Sequence, residues 1–350
     1  MQIYEIFLLS FFISIIGNYW LIKSKFGLDL SVEEKAHALH THEVSRMGGL
    51  AIVIATTITA IFYSPDLMLI LACGLAIFSF GFLEDRFQYD LPYSYKITFL
   101  AISTFFLLYF TKEFAYDGGF IVLSNQNILE ISIAALIAFV GIVGFASAVN
   151  FIDGLNGYSM GAMAISLIFF SLIFYSQGVD NLFIVSIILL GAIIGFLIFN
   201  FPFGKIFLGD MGAHLIGFII GYLSIALANH TDVSLWYPLA VLALPVIETI
   251  YTIRRRIKRK KLENISFDTS DNDHLHHYVL NYVKSKSINI NNPILLNSLA
   301  SVYILIPYFF INLIGYIFRE NDFILVGLFV VNVFGYVYIY NLLKETKIKK

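Results

Sequence analysis

The sequence predicts an all-α fold, a polytopic membrane protein of about eleven transmembrane helices that forms a single domain over residues 1–350. Its composition is the first reason: 59% of the 350 residues are hydrophobic, 13% are charged, and the mean hydropathy is +0.81. These values lie outside the range of soluble globular domains. The second reason is that apolar segments of membrane-spanning length recur along the whole chain. The segments are 4–22, 47–64, 66–83, 97–111, 129–149, 158–177, 182–199, 212–229, 235–252, 296–317 and 323–342.

The distribution of basic residues predicts the orientation of these segments. If the chain crosses the membrane eleven times, all 22 Lys and Arg residues except Lys112 and Arg319 lie in loops on one side. Cytoplasmic loops are enriched in Lys and Arg, so this side is predicted to be cytoplasmic. Residues 1–22 lack a basic region and a small-residue cleavage site, which indicates a membrane anchor and not a removable signal. The predicted location is therefore the inner (cytoplasmic) membrane.

All the unusual polar clusters fall on the predicted cytoplasmic side. They are HALHTHEVSRMGG (37–49), EDRFQYDLPYSYK (84–96), NFIDGLNG (150–157), NFPFGKIFLGDMGAH (200–214) and DNDHLHH (271–277). The opposite loops, such as SPD and SQGVDN, contain ordinary turn residues. Five clusters from five loops on one membrane face predict one composite active site at that face.

The acidic residues in these clusters allow a functional and a structural interpretation. Glu84 and Asp85, near Lys96, could bind a divalent cation or orient a phosphate, or they could be solvated acids at a helix end. Asp210 lies between glycines just before a predicted helix. It could share Mg²⁺ with a phosphate held at the helix N-terminus, or serve only as a helix cap.

The polar residues of NFIDGLNG and of the histidine cluster also have two interpretations each. Asp153 and Asn156 indicate a turn, or a place where glycines let the backbone approach a ligand. His274 and His277 can share one face of a helix, but a structural zinc site would need further Cys or His ligands. Hydrogen bonds from imidazoles to a phosphate fit better, with a solvated loop as the alternative. The run RRRIKRKK is interpreted as a topology determinant that contacts anionic membrane lipids, or as an attractor of an anionic substrate.

In their order along the chain, the five clusters resemble the polyprenyl-phosphate N-acetylhexosamine-1-phosphate transferase family (glycosyltransferase family 4). The family includes the enzymes that start enterobacterial common antigen and the teichoic acid linkage, and the phospho-N-acetylmuramoyl-pentapeptide transferase of peptidoglycan synthesis. The resemblance covers nearly the whole chain. It implies that the segment 254–292, between the ninth and tenth spans, recognises the sugar.

The resemblance also implies roles for particular residues. The residues expected to be catalytic are Glu84, Asp85, Asp153 and Asp210, of which Asp210 also binds the metal. The residues expected to bind substrate are His40, Arg46, Lys96, Asn150, Asn156, Lys205, His274, His276 and His277, with Asp271 in the same motif as the histidines.

This chain departs from the family pattern at several positions. Ser45 stands where Pro is usual in the first motif, and Glu84 replaces the first of two aspartates, which moves its carboxylate outward by one methylene. Asn156 replaces an aspartate and keeps an acceptor but loses the charge. His214 stands where a small hydroxyl residue is common. Any role that needs a negative charge at position 156 is therefore absent from this chain.

The resemblance implies a reaction between undecaprenyl (polyprenyl) phosphate and a UDP-sugar that gives the polyprenyl-diphosphate-sugar and UMP. The implied cofactor is Mg²⁺, with Mn²⁺ as a substitute, and the implied surroundings are membrane lipids. No nucleic-acid partner is expected, and the resemblance is compatible with a homodimer. Asp85 is expected to act as a base or to orient the lipid phosphate. The second pKa of a phosphate monoester is about 6, so direct attack needs little help from a base.

The HLHH cluster after an acid resembles the N-acetylglucosamine-1-phosphate type more than the peptidoglycan enzyme. This predicts that the protein initiates a cell-surface polysaccharide, such as an O-antigen or capsule. The sugar of the UDP-sugar is not specified by the sequence and can be GlcNAc, GalNAc or a deoxy-amino sugar. One alternative is the phospho-MurNAc-pentapeptide transferase, and another is a membrane transporter. Transporters place ionisable sites near the bilayer midplane. Here the acids avoid mid-span positions except Glu248, which lies near the cytoplasmic end of its segment.

Overall fold

A computed structural model describes residues 3–28, 44–88, 91–116, 123, 127–264, 273–287 and 290–348. Fourteen α-helices account for most of the described residues. Two isolated backbone bridges, Leu28 with Ser45 and Ser45 with Ile206, are the only extended pairings in that part of the chain. The predicted all-α fold is confirmed.

The helices follow one another along the chain, and the longest connections are those between the first and second and between the fifth and sixth helices. In order, they are α1 (Ile3–Ser24), α2 (Gly48–Tyr63), α3 (Pro65–Cys73), α4 (Leu75–Phe87), α5 (Tyr93–Thr111), α6 (Ile128–Ile152), α7 (Tyr158–Ser176), α8 (Asp180–Asn200), α9 (Gly209–His230), α10 (Trp236–Val241), α11 (Ala243–Glu263), α12 (Leu275–Lys286), α13 (Pro293–Ile317) and α14 (Asp322–Ile348).

Each predicted apolar segment coincides with one helix or with two consecutive helices. Among the described residues, eight helices are long and apolar enough to cross a bilayer, and a ninth span results if α3 and α4, bent by 59° at Gly74, are counted as one. The two remaining segments correspond to α2, which has only 16 residues, and to α10 with the first part of α11. The structure thus supports a multi-span helical protein, and the count of eleven crossings stays a prediction.

Several helix starts follow from ordinary capping residues. The Ser64 hydroxyl accepts a hydrogen bond from the Leu67 N–H, and Pro65 occupies the first position of α3. Asn292 caps α13 in the same way, through the Ile294 N–H, and is followed by Pro293. A side-chain acceptor satisfies a free N–H, and Pro lacks the N–H that would be unpaired there. These ends are therefore encoded locally.

Helix α9 forms the centre of the bundle and is buried along almost its whole length. It packs against α6, α4 and α2. A side chain at Gly49 of α2 would place its Cβ 2.5 Å from the Gly212 Cα, so glycine at both positions permits close contact of the two backbones. The start of α9 is thereby held between α2 and α4.

Helix α12 lies against the same end of the bundle. Its buried residues Leu275, Tyr278, Val279 and Leu280 belong to a second apolar cluster with Ile247 of α11 and with residues of α13 and α14. The described part of the segment 254–292 therefore consists mainly of the end of α11 and of α12. Its predicted role in sugar recognition stays a prediction.

Candidate active site at the start of the central helix

Three carboxylates and two cations from three helices and one loop meet where α9 begins; we call Glu84, Asp85, Asp210, Arg46 and Lys96 the carboxylate cluster. The Lys96 Nζ donates a hydrogen bond of 2.6 Å to Asp210 Oδ2 and lies 3.1 Å from Glu84 Oε2. The Arg46 Nη2 lies 3.8 Å from Asp210 Oδ1 and 4.0 Å from Asp85 Oδ1. The structure thus brings together five residues that the sequence motifs predict for the site.

Asp85 caps the first turn of α9 from another helix. Its Oδ1 accepts a hydrogen bond of 3.0 Å from the Asp210 N–H, and its Oδ2 accepts one of 2.9 Å from the Met211 N–H. The N–H groups of a first helical turn have no partner within the helix, and a carboxylate there also interacts favourably with the helix dipole. Asp210 itself lies inside the first turn and is not the cap. The immediate contact of Asp85 is therefore a positioning contact, and its predicted role towards the lipid phosphate stays a prediction.

Glycine at position 209 is required for this arrangement. Its φ is +78°, a left-handed conformation that side chains disfavour. A Cβ there would lie 2.2 Å from the Arg46 carbonyl oxygen and 2.5 Å from Asp85 Oδ2. Only glycine lets the loop before α9 and the carboxylate from α4 occupy neighbouring positions.

Arg46 is held at the site by its backbone neighbours. The Arg46 N–H donates to the Gly27 carbonyl at 3.1 Å, and the Phe207 N–H donates to the Ser45 carbonyl at 2.8 Å. The Ser45 hydroxyl donates to the Phe26 carbonyl at 2.7 Å. Serine in place of the usual proline thus connects the first motif to the end of α1.

The stretch NFIDGLNG is both a turn and part of the site. Helix α6 ends at Ile152 and α7 begins at Tyr158, so residues 153–157 form the turn. On one side of it, the Asn150 side-chain amide donates to Asp210 Oδ1 at 3.1 Å. On the other side, the Asn156 N–H donates to Asn297 Oδ1 at 2.7 Å, and the Asn156 side chain is buried. The motif therefore connects the carboxylate cluster with α13.

Asp153 lies at the end of α6, where its carboxylate accepts a hydrogen bond from the Ser159 hydroxyl. Desolvation raises the pKa of Asp153 to about 6; the charge of Asp210 acts in the same direction, and the Ser159 hydrogen bond opposes it. The carboxyl therefore titrates closer to neutrality than an ordinary Asp. Its catalytic role stays a prediction.

We call His274, His276 and His277 the histidine segment. The rings of His274 and His276 are stacked with their centres 5.3 Å apart, and those of His276 and His277 are 4.3 Å apart. Burial, with the neighbouring His277 and His274, lowers the pKa of His276 well below its ordinary value. His276 is therefore neutral at neutral pH.

The histidine segment contacts NFIDGLNG at two points. The Phe151 ring stacks on Tyr93 and on His274, with centres 5.7 and 6.4 Å apart respectively. A Cβ at Gly154 would lie 2.2 Å from His276 Nε2, so the absence of a side chain there makes room for the imidazole. The carboxylate cluster and the histidine segment are thus the two halves of one continuous site.

Three of the predicted residues are not placed in these contacts. Lys205 is exposed, and its ammonium lies 5.0 Å from the centre of the Phe203 ring; among the described residues no contact joins it to the carboxylates. His40 and Asp271 lie outside the described residues. His214 lies directly below the cluster, with its Nδ1 2.9 Å from the Asp210 carbonyl oxygen.

Sequence reasoning missed two residues of the site. Glu248 is 1% exposed and lies 2.9 Å from His274 Nδ1. The Arg256 guanidinium lies over the Phe151 ring at 5.2 Å. Glu248 could have been found as the single acid of an otherwise apolar segment, whereas Arg256 is hidden in a run of similar basic residues. Both come from α11, whose basic run the sequence connects with an anionic substrate only in general terms and not through either of these two residues.

The acids of the site fit Mg²⁺ in one specific way. Among the described residues, no group of three or more His, Cys, Asp or Glu side chains is arranged to hold a metal. Mg²⁺ usually binds one or two carboxylates and completes its shell with waters and substrate phosphates. Asp210, whose side chain is 20% exposed, fits a site of that kind and not an all-protein cage.

Comparison with known proteins agrees with this arrangement. Residues 67–228 match the model of glycosyl transferase family 4, and this range contains Glu84, Asp85, Lys96, NFIDGLNG and Asp210. A probable undecaprenyl-phosphate N-acetylglucosaminyl 1-phosphate transferase of Bacillus subtilis (strain 168) is 28% identical over 72% of this chain and 70% of its own. A decaprenyl-phosphate N-acetylglucosaminephosphotransferase of Mycolicibacterium smegmatis is 27% identical over 69% of this chain and 66% of its own.

A phospho-N-acetylmuramoyl-pentapeptide-transferase of Bacillus subtilis (strain 168) is 28% identical over 78% of this chain and 86% of its own. All three relatives are named as transferases, and the five predicted residues of the carboxylate cluster meet in the structure as the family motifs imply. Residues 67–228 of this chain are therefore similar to glycosyl transferase family 4.

Proposed function

We propose that the protein transfers an N-acetylhexosamine-type sugar-1-phosphate from a UDP-sugar to undecaprenyl phosphate at the cytoplasmic face of the inner membrane and releases UMP. The observation that supports this most is the contact of Asp210 with Lys96, Arg46 and Asn150 at one end of a bundle of apolar helices. The Bacillus subtilis and Mycolicibacterium smegmatis N-acetylglucosaminyl relatives act on undecaprenyl or decaprenyl phosphate according to their names.

The position of the site suits two substrates from different phases. A polyprenyl tail is soluble only in the bilayer, and a UDP-sugar only in water. A pocket at the ends of membrane-spanning helices lets both phosphates approach each other. Lys96 and Arg46, which pair with carboxylates here, supply the positive charge that two anionic substrates require.

The proposed reaction is a single displacement. An oxygen of the lipid phosphate forms a bond to the β-phosphorus of the UDP-sugar, and the bond from that phosphorus to the bridging oxygen breaks. UMP leaves with the electron pair. An aspartyl-phosphate at Asp85 is disfavoured because both carboxylate oxygens accept backbone hydrogen bonds and the side chain is 1% exposed. Trapping a phosphorylated enzyme with UDP-sugar alone would contradict this step.

Asp210 is the residue proposed to hold Mg²⁺ (or Mn²⁺) together with the pyrophosphate of the UDP-sugar. When bound, the ion would neutralise charge on the phosphates. Asn150 would keep the Asp210 carboxylate oriented through its 3.1 Å hydrogen bond.

The peptidoglycan phospho-MurNAc-pentapeptide transfer is the second candidate. It is favoured by the larger share of both chains that the Bacillus subtilis relative of that name covers. The two candidates differ only in the sugar nucleotide. Purified protein given undecaprenyl phosphate and, separately, UDP-GlcNAc, UDP-GalNAc, a UDP-deoxy-amino sugar and UDP-MurNAc-pentapeptide separates them by UMP release.

The same assay tests the site. We expect UMP release to require undecaprenyl phosphate and Mg²⁺, and Asp210→Ala to lower it by at least about 10²–10³-fold without loss of protein from the membrane. Asp66→Ala is the matched control, because Asp66 contacts Asn181 at the start of α3, away from the cluster. Full activity of Asp210→Ala would contradict the metal assignment, and no UMP from any UDP-sugar would contradict the proposed function.

A further inference from the structure

We propose that Glu248 is a positioning residue that fixes the tautomer and the orientation of the His274 imidazole. The inference rests on the proposed function and on the prediction from the sequence that His274 binds a substrate phosphate. It assigns a role to an acid that belongs to none of the five sequence clusters and that comes from a different helix, α11.

The Glu248 carboxylate is enclosed by three hydrogen-bonding groups. Its Oε1 pairs with His274 Nδ1 at 2.9 Å. Its Oε2 accepts hydrogen bonds from the Tyr336 hydroxyl at 2.7 Å and from the Leu275 N–H at 3.3 Å. A buried acid is costly unless donors surround it, and the hydroxyl and the N–H already act as donors. The arrangement is that of an acceptor-only carboxylate, which requires the ring proton of His274 to be on Nδ1.

A carboxylate on one ring nitrogen decides which nitrogen faces the chemistry. The proton on Nδ1 makes Nε2 the nitrogen through which the ring accepts or donates a further proton. Hydrogen-bonded carboxylates orient ligating and catalytic histidines in this manner in other enzymes. Glu248 therefore acts through His274 and not by contact with the substrate.

The geometry connects this pair with the rest of the site. His274 stacks on Phe151, and the adjacent Asn150 binds Asp210. His274 also stacks on His276, which lies over Gly154. A rotation of the His274 ring would therefore change its contacts with Phe151 and with His276. Both contacts lead to NFIDGLNG, so the rotation would affect both halves of the site.

Tyr336→Phe provides a matched control. It removes a donor from Glu248 Oε2 but leaves the Oε1 contact with His274 intact. Glu248→Gln keeps the shape of the side chain but offers one acceptor oxygen to three donors. Both variants disturb the same buried group, so a general loss of stability affects both.

The kinetic test is a double-mutant cycle on the full chain in nanodiscs. The substrates are undecaprenyl phosphate and UDP-GlcNAc, which is replaced by another UDP-sugar if the UMP-release assay above identifies one. We expect Glu248→Gln to lower kcat/KM by about 10–100-fold, and Tyr336→Phe by less than about 3-fold, because the Oε1 contact with His274 stays intact. In a His274→Asn background, Glu248→Gln should cost less than about 2-fold more, because both changes remove one function. If the fold-losses in kcat/KM of Glu248→Gln and His274→Asn multiply in the double variant, the proposal is overturned.

The spectroscopic test does not depend on activity, and its first measurement, on the unmodified protein, needs no Glu248 variant. In protein with ¹⁵N-labelled histidine, the His274 signals are assigned as those missing from His274→Asn. The neutral ring should carry its proton on Nδ1, and Glu248→Gln should change this tautomer while Tyr336→Phe should not. A proton on Nε2 in the unmodified protein would overturn the proposal. If no UDP-sugar yields UMP, the proposed function is contradicted. The tautomer of His274, which is measured without an activity assay, still tests the role of Glu248.

Discussion

The two halves of the site use carboxylates in different ways. In the carboxylate cluster, Asp210 is 20% exposed and its partners Lys96 and Arg46 are 15% and 32% exposed. Beside the histidine segment, Glu248 is 1% exposed and is held by an imidazole, a phenol and a backbone N–H. Asp210 can exchange its charged, accessible partners for a metal, and those partners can bind a phosphate instead. Glu248 cannot exchange its donors in this way because they are enclosed with it. Asp85, also 1% exposed, belongs with Glu248 in this respect although it lies beside Asp210.

We expect accessibility and partner, more than residue type, to separate acids that can contact a substrate from acids that position other groups. Substitutions at Gly209, Gly154, Asp153 and Lys205 test this distinction, with expected effects that decrease in that order.

Gly209→Ala should disrupt the carboxylate cluster. The new Cβ would have to occupy the space of the Asp85 carboxylate and the Arg46 carbonyl, in a backbone conformation that costs about 1–3 kcal/mol for other residues. A displacement of about 1 Å at a reacting group can cost about 10²-fold in rate, so we expect a loss of that size in UMP release. Gly141→Ala is the control, because a Cβ there meets no atom within 4 Å. Normal activity of Gly209→Ala would show that the Asp85 contact does not position Asp210.

Gly154→Ala should separate the two halves without touching the carboxylate cluster. Its Cβ would displace the His276 ring, whose Nε2 lies 2.2 Å from the ideal Cβ position. We expect kcat/KM to fall by about 10-fold, a smaller effect than for Gly209→Ala because His276 is a flexible side chain and not backbone. Gly144→Ala, where the Cβ also has open space, is the matched control. Equal activity of the two alanine variants would mean that the histidine segment works independently of NFIDGLNG.

Asp153 should give stability a specific pH dependence. Its pKa is raised to about 6 in the folded protein, above the value of about 4 in an unfolded chain. The folded state therefore binds more protons between these values, so the contribution is fully present below pH 4 and is lost as the pH rises through 6. Asp153→Asn, which stays neutral, should gain melting temperature relative to the unmodified protein between about pH 5 and pH 7.5. If the melting temperatures of the two proteins differ by the same amount at every pH in that range, the prediction is contradicted.

Lys205→Ala should have the smallest effect. The ammonium is exposed over Phe203, a contact worth about 0.5–1 kcal/mol, and it does not reach the carboxylates. We expect less than about 3-fold change in kcat/KM, compared with about 10²-fold or more for Lys96→Ala in the same assay. A loss of about 10-fold or more at Lys205 would extend the substrate site beyond the carboxylate cluster and the histidine segment.

Much of this architecture follows from the sequence because its causes are local in the chain. Long apolar runs predict the helices, and the order of the polar clusters predicts which residues meet at α9. Ser64 and Asn292, each followed by a proline, start their helices through contacts that are local in the chain. The position of Asp210 at a helix start was predicted as well, although the structure places it inside the first turn and gives the cap to Asp85.

The sequence by itself determined that this is a multi-span helical protein whose polar motifs belong together. The tertiary structure alone decided the partner of each acid, because those contacts join residues far apart in the chain. The Asp85 cap reaches across 125 positions to α9, and the Tyr336 hydrogen bond to Glu248 spans 88. Hydropathy and motif spacing depend on neighbours in sequence, whereas the burial of a carboxylate depends on which distant helices surround it.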